Sequence, residues 1–271
     1  MNCIEVRDFT LYHTLNSGQL FRYVSFSDQY LIHAGNRLFK VWQKGGRIFF
    51  EGVEEEFISR FFRLDDDLEA IYRQIGKDPF IGKAIELYRG LRLLRQDPWE
   101  CLVSFICSSA KNIPHIKCIL EGLCRHYGQP VSMGNYRGYG FPSPDRISDG
   151  WDLGRIKAGF RARYLSEISG RAKSIDLWAL RRLEYRDAKN ELMALPGVGE
   201  KIADCVLLFS LDFNEAFPVD TWIRKALRLG YHGEKNLSDR GIREFAQGYF
   251  GRYAGYAQQY LYHFVRNQGW K

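Results

Sequence analysis

Residues 195–209 read LPGVGEKIADCVLLF, a glycine-rich turn followed by a lysine and an apolar run. Extended in both directions to Glu184 and Leu211, the pattern is an amphipathic helix ending near Ala194, a tight turn at Pro196-Gly197-Val198-Gly199, and a second helix running into Leu211. This is a helix-hairpin-helix, spanning about residues 186–210. Its two glycines permit positive φ and a bare backbone. The N–H groups of Gly197, Val198 and Gly199, with the positive end of the next helix, can then hold a phosphate without a basic side chain. The same motif serves noncatalytic DNA-binding modules, and such a turn can also be pure packing, so the hairpin alone does not define a chemistry.

Two residues beyond the turn carry more. Lys201 falls in the first turn of the second helix, where the macrodipole opposes a positive charge, and a neutral amine is a nucleophile. In AFPVDTWIRKAL, Asp220 follows a sharp Pro218-Val219 turn and caps a helix starting at Thr221. Alone it reads as a cap. Beside a DNA-binding hairpin and a lysine, it is also a carboxylate suited to stabilising a cationic sugar in an oxocarbenium-like state.

Composition narrows the setting. A chain of 271 residues, 45% hydrophobic and 15% aromatic, can bury a full core. No apolar run approaches the roughly 18 residues of a membrane span, and the opening MNCIEVRDFT lacks the apolar core of a signal peptide, so the default compartment is the cytoplasm. The six cysteines form no CxxC pairs, which argues for reduced, mostly buried thiols and against a disulfide framework, zinc or an iron-sulfur cluster. The net charge is +7, and the whole excess lies after residue 90. There GRIKAGFRARY (154–164) interleaves Arg155, Lys157, Arg161 and Arg163 with Phe160 and Tyr164, a mixture fit for phosphates and stacked bases or for a solvated helix face.

Periodicity divides the chain. Residues 30–52 alternate apolar and polar side chains around a Lys44-Gly45-Gly46 hairpin turn, while from Asp65 onward apolar residues return at helical spacing, with caps at Asp65, Asp97 and Ser166. Residues 134–145, rich in Gly and Pro, read as a loop. The predicted fold is α+β: a twisted antiparallel sheet over residues 1–90, then a mostly helical body over 91–271 that contains the helix-hairpin-helix.

Six stretches in order, LNSGQLFRY (15–23), FICSSAKNIPHI (105–116), FRARYLS (160–166), LPGVGEKIADC (195–205), PVDTW (218–222) and YAGYAQQYLYH (253–263), make the chain resemble the helix-hairpin-helix DNA glycosylases. Within them it is most similar to the 8-oxoguanine DNA glycosylases with lyase activity, as a bacterial or archaeal homologue of the eukaryotic type. The resemblance covers nearly the whole chain. It implies a monomer acting on double-stranded DNA containing oxidised guanine, without cofactor or metal, on a nucleotide flipped from the duplex. Lys201 would attack the sugar C1′, Asp220 would stabilise the cationic sugar, and the adduct would open to a Schiff base and cleave the strand by β-elimination.

The resemblance also implies a lesion pocket of Gly18, Gln19, Cys205, Gln258 and Tyr262. The Gly18 carbonyl would accept the N7–H that distinguishes 8-oxoguanine from guanine, Gln258 would read the Watson-Crick edge, and Cys205 and Tyr262 would sandwich the base. Ala110, Lys111, Asn112, His115, Phe160 and Arg161 would wedge the duplex and contact the opposite base, and Trp222 would lie near a phosphate with the hairpin. Tyr262, Phe160 and Trp222 replace the usual Phe, Tyr and His, while Ala110 and His115 stand where an Asn and an Arg usually contact the orphaned base. Relaxed opposite-base specificity is therefore predicted. A monofunctional glycosylase that activates water with Asp220, and a noncatalytic DNA-binding module, are the alternatives.

Overall fold

The alternation in residues 30–52 is realised as a five-stranded antiparallel sheet in the order β1-β5-β4-β3-β2, with β1 Asn2–Glu5, β2 Tyr23–Phe26, β3 Gln29–Ala34, β4 Arg37–Lys44 and β5 Arg47–Glu51. This computed structural model describes residues 2–108, 112–148, 156, 159, 161–173, 175–233 and 237–269. Ala110, Lys111 and Phe160, with Arg155 and Lys157 of the basic stretch, lie outside the described residues. The β4–β5 turn is Gly45-Gly46 with both φ positive, the conformation a two-residue hairpin requires. Register sets Ile32 opposite Phe39, and Val41 opposite both Tyr30 and Phe50, so one face is buried and apolar.

That face packs on Leu11 and Leu15 of α1 (Leu11–Asn16) and on Ile58 and Phe61 of α2 (Glu55–Phe61). A strand side chain then anchors α1: Gln43 Nε2 donates to Phe9 O at 2.7 Å and its Oε1 accepts from Leu11 N at 2.8 Å. The sheet thereby fixes where α1 begins, and about one and a half turns later the helix leads into the turn at Ser17-Gly18.

The helical body comprises α3 (Leu68–Ile75), α4 (Pro79–Leu87), α5 (Pro98–Ser108), α6 (Ile113–Tyr127), α7 (Pro144–Ser148), α8 (Arg161–Ala172), α9 (Tyr185–Met193), α10 (Glu200–Ser210), α11 (Thr221–Leu227), α12 (Asp239–Phe250) and α13 (Ala254–Asn267). Helices α5, α10 and α13 are buried almost throughout, and Phe105 of α5 stacks on Phe209 of α10 at 5.6 Å. Apolar residues of α3 and α4 join this larger core, and Leu94 joins the sheet's.

Three local expectations are corrected. The cap of α3 is Asp67, whose side chain accepts from Ala70 N, while Asp65 pairs with Arg95. Ser166 lies inside α8 rather than at its start, where the described helix begins at Arg161. Part of the 134–145 loop is strand, because β7 (Tyr136–Tyr139) pairs with β6 (Pro130–Met133) across a turn at Gly134. Asp97 does cap α5, accepting from Glu100 N at 3.0 Å. All six cysteines are free, and Cys101, Cys107, Cys124 and Cys205 are buried.

Candidate active site

Helices α9 and α10 form the hairpin read from the sequence, and a buried carboxylate holds them together. Asp204, fully enclosed on α10, accepts from Tyr185 Oη at 2.6 Å and Lys189 Nζ at 3.1 Å, both on α9. Arg243 of α12 pairs with Glu200 at the start of α10. Burial raises the Asp204 carboxyl to about 6 against the pull of Lys189, and removing one partner of such a pair costs about 3–5 kcal/mol. Only Gly197 of the turn needs a positive φ (+76°). Gly199 is the extended N-cap of α10, and a methyl group there would meet nothing within 4 Å, so the backbone is open to close approach. Val198 is buried and anchors the turn.

Lys201, in the first turn of α10, and Asp220 line one cavity of about 810 Å³. Asp220 caps α11, its Oδ1 accepting from Ile223 N at 2.9 Å. Burial raises its carboxyl above the usual range, opposed by that N–H and by the Lys201 charge. Helix periodicity puts Cys205 on the same cavity as Lys201, one turn on. Burial pushes its thiol up to about 12, so it presents a neutral, polarisable surface. Trp222 and Asn112 also line the cavity.

The remaining wall comes from the two ends of the chain. Gly18, at φ +78°, and Ser17 follow α1, while Gln258 and Tyr262 descend from α13. Gln258 is 4% exposed, and its Oε1 has no hydrogen-bond partner among the described residues. A buried acceptor left unpaired costs roughly 1–3 kcal/mol, so the cavity is prepared for a donor.

Gln19 corrects the sequence reading. It is fully buried away from the cavity, with Nε2 donating to Thr14 O and Arg92 O and Oε1 accepting from Leu94 N. It splices the α1 turn to the irregular segment before α5. Asn112 caps α6, and its Oδ1 lies 3.1 Å from His115 N and 2.8 Å from His115 Nδ1, so one ring nitrogen of His115 is engaged. Arg161 is buried at 2% exposure rather than displayed on the surface. Sequence reasoning missed Gln259 and Arg266, which line the same cavity and lie one residue and two turns beyond Gln258 on α13; their helical spacing from Tyr262 was the available signal.

Comparison with known proteins matches this architecture. Residues 3–102 match the family described as 8-oxoguanine DNA glycosylase, N-terminal domain. Over 237 residues, 79% of this chain and 75% of the relative, the sequence is 33% identical to the probable N-glycosylase/DNA lyase of Methanothermobacter thermautotrophicus. The chain belongs to the 8-oxoguanine DNA glycosylase family. The glycosylase is 38% identical to the Arabidopsis thaliana N-glycosylase/DNA lyase OGG1 over 207 residues, 69% of this chain and 55% of that protein. The Clostridium acetobutylicum 8-oxoguanine glycosylase/lyase, solved with double-stranded DNA containing cytosine opposite 8-oxoguanine, superposes with a TM-score of 0.92 at 31% identity, covering 99% of this chain and 98% of that one. The protein is a base-excision repair enzyme, a DNA glycosylase with lyase activity.

Proposed function

We propose that Lys201 is the nucleophile that excises 8-oxoguanine, and that Asp220 stabilises the sugar as it becomes cationic. Lys201 attacks C1′, and the C1′–N9 bond breaks with its electron pair leaving on the base. The amine adduct opens to a Schiff base, and β-elimination then removes a proton from C2′ and breaks the C3′–O bond, whose electron pair leaves on the 3′ phosphate oxygen. Asp220 acts electrostatically at the moment of charge development, which a preorganised carboxylate in a sheltered cavity does most effectively. Gly18 offers its carbonyl to N7–H, Gln258 reads the Watson-Crick edge, and Cys205 and Tyr262 cover the two faces of the extruded base. Gly197, Val198, Gly199 and Trp222 take the flanking phosphates. Asn112, His115 and Arg161, with Ala110, Lys111 and Phe160, serve the duplex side, and the working unit is a monomer on double-stranded DNA.

The observation that carries this reading is the meeting of Lys201 and Asp220, each at the start of its own helix, around one cavity with the Gln258 acceptor, which has no partner among the described residues. Borohydride trapping tests it. The wild-type protein should become covalently joined to a duplex containing 8-oxoguanine. Lys201→Gln should bind that duplex and neither trap nor release the base. Release of free base by Lys201→Gln at near wild-type single-turnover rate would make Lys201 a phosphate contact and leave excision to water activated by Asp220.

A further inference from the structure

One face of α13 holds the turn that carries Gly18. Gln259, Tyr262 and Arg266 are spaced three and four residues apart and so share that face. Gln259, 1% exposed, donates Nε2 to Ser17 O at 2.8 Å. Arg266 Nη1 reaches Asn16 O at 3.4 Å, and its guanidinium lies 5.7 Å from the Tyr262 ring centroid. Tyr262 lies against Gly18 itself: a methyl group on that Cα would be 2.8 Å from the phenolic oxygen and 3.1 Å from Cε1. On the far side of the turn, Gln96 Nε2 donates to Gln19 O at 2.8 Å.

The carbonyls of Asn16, Ser17 and Gln19 are thus each occupied by a side-chain donor. Among the hydrogen bonds of the described residues, none ends on the carbonyl of Gly18. A glycine at φ +78° with no side chain has the widest freedom to reorient its peptide planes. Discrimination by a single carbonyl, which accepts from N7–H and meets a lone pair on guanine, requires that freedom to be removed, because such contacts depend on placement to about 0.5 Å.

We propose that Gln259 and Arg266 are positioning residues for lesion recognition: with Tyr262 they clamp the turn so that the Gly18 carbonyl, unoccupied among the described residues while those of Asn16, Ser17 and Gln19 are taken, is held at a fixed place. The inference rests on the reading of Gly18 as the N7–H acceptor. Gln259 fixes the Ser17–Gly18 peptide plane and Gln96 fixes the Gln19–Leu20 plane, so the Gly18–Gln19 plane that carries the Gly18 carbonyl is bracketed on both sides, while Tyr262 supports the Gly18 Cα and Arg266 supports both Tyr262 and the Asn16 carbonyl. The bonds of Gln259 and Arg266 go to the turn at Ser17 and Asn16 and not to Lys201 or Asp220, so each acts on base selection rather than on bond cleavage.

The test uses Gln259→Met and Arg266→Met, which keep the stem of each side chain and remove its donors. In a Lys201→Gln background, affinities are measured for duplexes carrying 8-oxoguanine, guanine or a tetrahydrofuran abasic analogue. With Lys201 intact, strand cleavage is measured at a preformed abasic site, which has no base to read. The ratio of 8-oxoguanine to guanine affinity should fall about 2- to 10-fold in each variant, the range a lost hydrogen bond allows. Abasic-analogue binding and abasic-site cleavage should stay within about twofold, inside the effect of one such bond. An unchanged ratio overturns the clamp, and so does an equal fall in all measurements, which marks general destabilisation. If the Lys201→Gln parent itself does not prefer 8-oxoguanine over guanine, the underlying reading of Gly18 is what fails.

Discussion

The ring of Tyr164 covers the bare Cα of Gly197: a methyl group there would lie 2.6 Å from Tyr164 Cγ, and the residue sits at φ +76°. Helix α8 therefore supports the hairpin turn directly. Gly197→Ala meets both the ring and an unfavourable backbone conformation, and should destabilise the protein by about 1–3 kcal/mol. DNA affinity should weaken for lesion and undamaged duplexes alike, since the role proposed for the turn is to hold phosphates, which carry no base identity. Thermal melting with parallel binding to both duplexes checks this; a loss confined to the lesion duplex would contradict it.

Asp220→Asn separates charge from capping. Asparagine caps a helix about as well as aspartate, so the bond to Ile223 N survives and stability should change by less than about 1 kcal/mol. The excision rate should nevertheless fall by about 10²–10³, as when one preorganised electrostatic stabiliser is removed. Single-turnover kinetics and circular dichroism measure the two effects, and a fall confined to lesion affinity would disprove the assignment.

Acid should weaken the joint between α1 and α13. His263, 1% exposed, lies with Nε2 3.2 Å from His13 Nδ1 and its ring 4.5 Å from that of Tyr88. Burial, with His13 and Arg266 adding to it, lowers His263 to about 3. Its folded value is thus below the ordinary 6.5, and the unfolded chain binds the extra proton between these values. Stability contributed by the neutral ring is complete above about pH 6.5 and is lost as pH falls towards 3, by at most about 1.4 kcal/mol per pH unit. His33, lowered to about 4, acts in the same direction. Urea unfolding at pH 7 and pH 5 should show the loss, and His263→Phe should reduce its slope; an unaltered slope would assign the acid sensitivity elsewhere.

Opposite-base discrimination should be weak. Alanine at 110 offers no side-chain donor and His115 has one ring nitrogen engaged by Asn112, which leaves Arg161 as the remaining candidate contact to the opposite base. A lost bidentate contact removes roughly 1–3 kcal/mol of discrimination. Excision rates with cytosine, adenine, guanine and thymine opposite should lie within about tenfold at fixed salt, near 1.4 kcal/mol. A cytosine preference of many hundredfold would refute this. Ala110→Asn with His115→Arg should sharpen it.

What could be read from the chain was what depends on residues a few positions apart. The hairpin turn, the Gly45-Gly46 corner, the Asp220 cap and the strand alternation follow from backbone geometry and from short-range pattern, so LPGVGEK, PVDTW and residues 30–52 carried them directly. Among neighbouring candidates, local pattern could not choose: Asp65 and Asp67 are both capping residues, and the pairing of Asp65 with Arg95 was decided across 30 positions.

Tertiary structure alone decided the direction of each side chain. Gln19 and Gln258 stand in equally well-matched motifs, yet Gln19 turns inward to partners around Arg92 and Leu94, while Gln258 keeps an open acceptor at the cavity. The bond from Gln259 to Ser17 spans 242 positions, and no periodicity within α13 encodes what α1 presents to it. The reason is energetic: a buried amide must be hydrogen-bonded, and which donors and acceptors come within reach is set by the packing of sheet, α1 and α13 against one another.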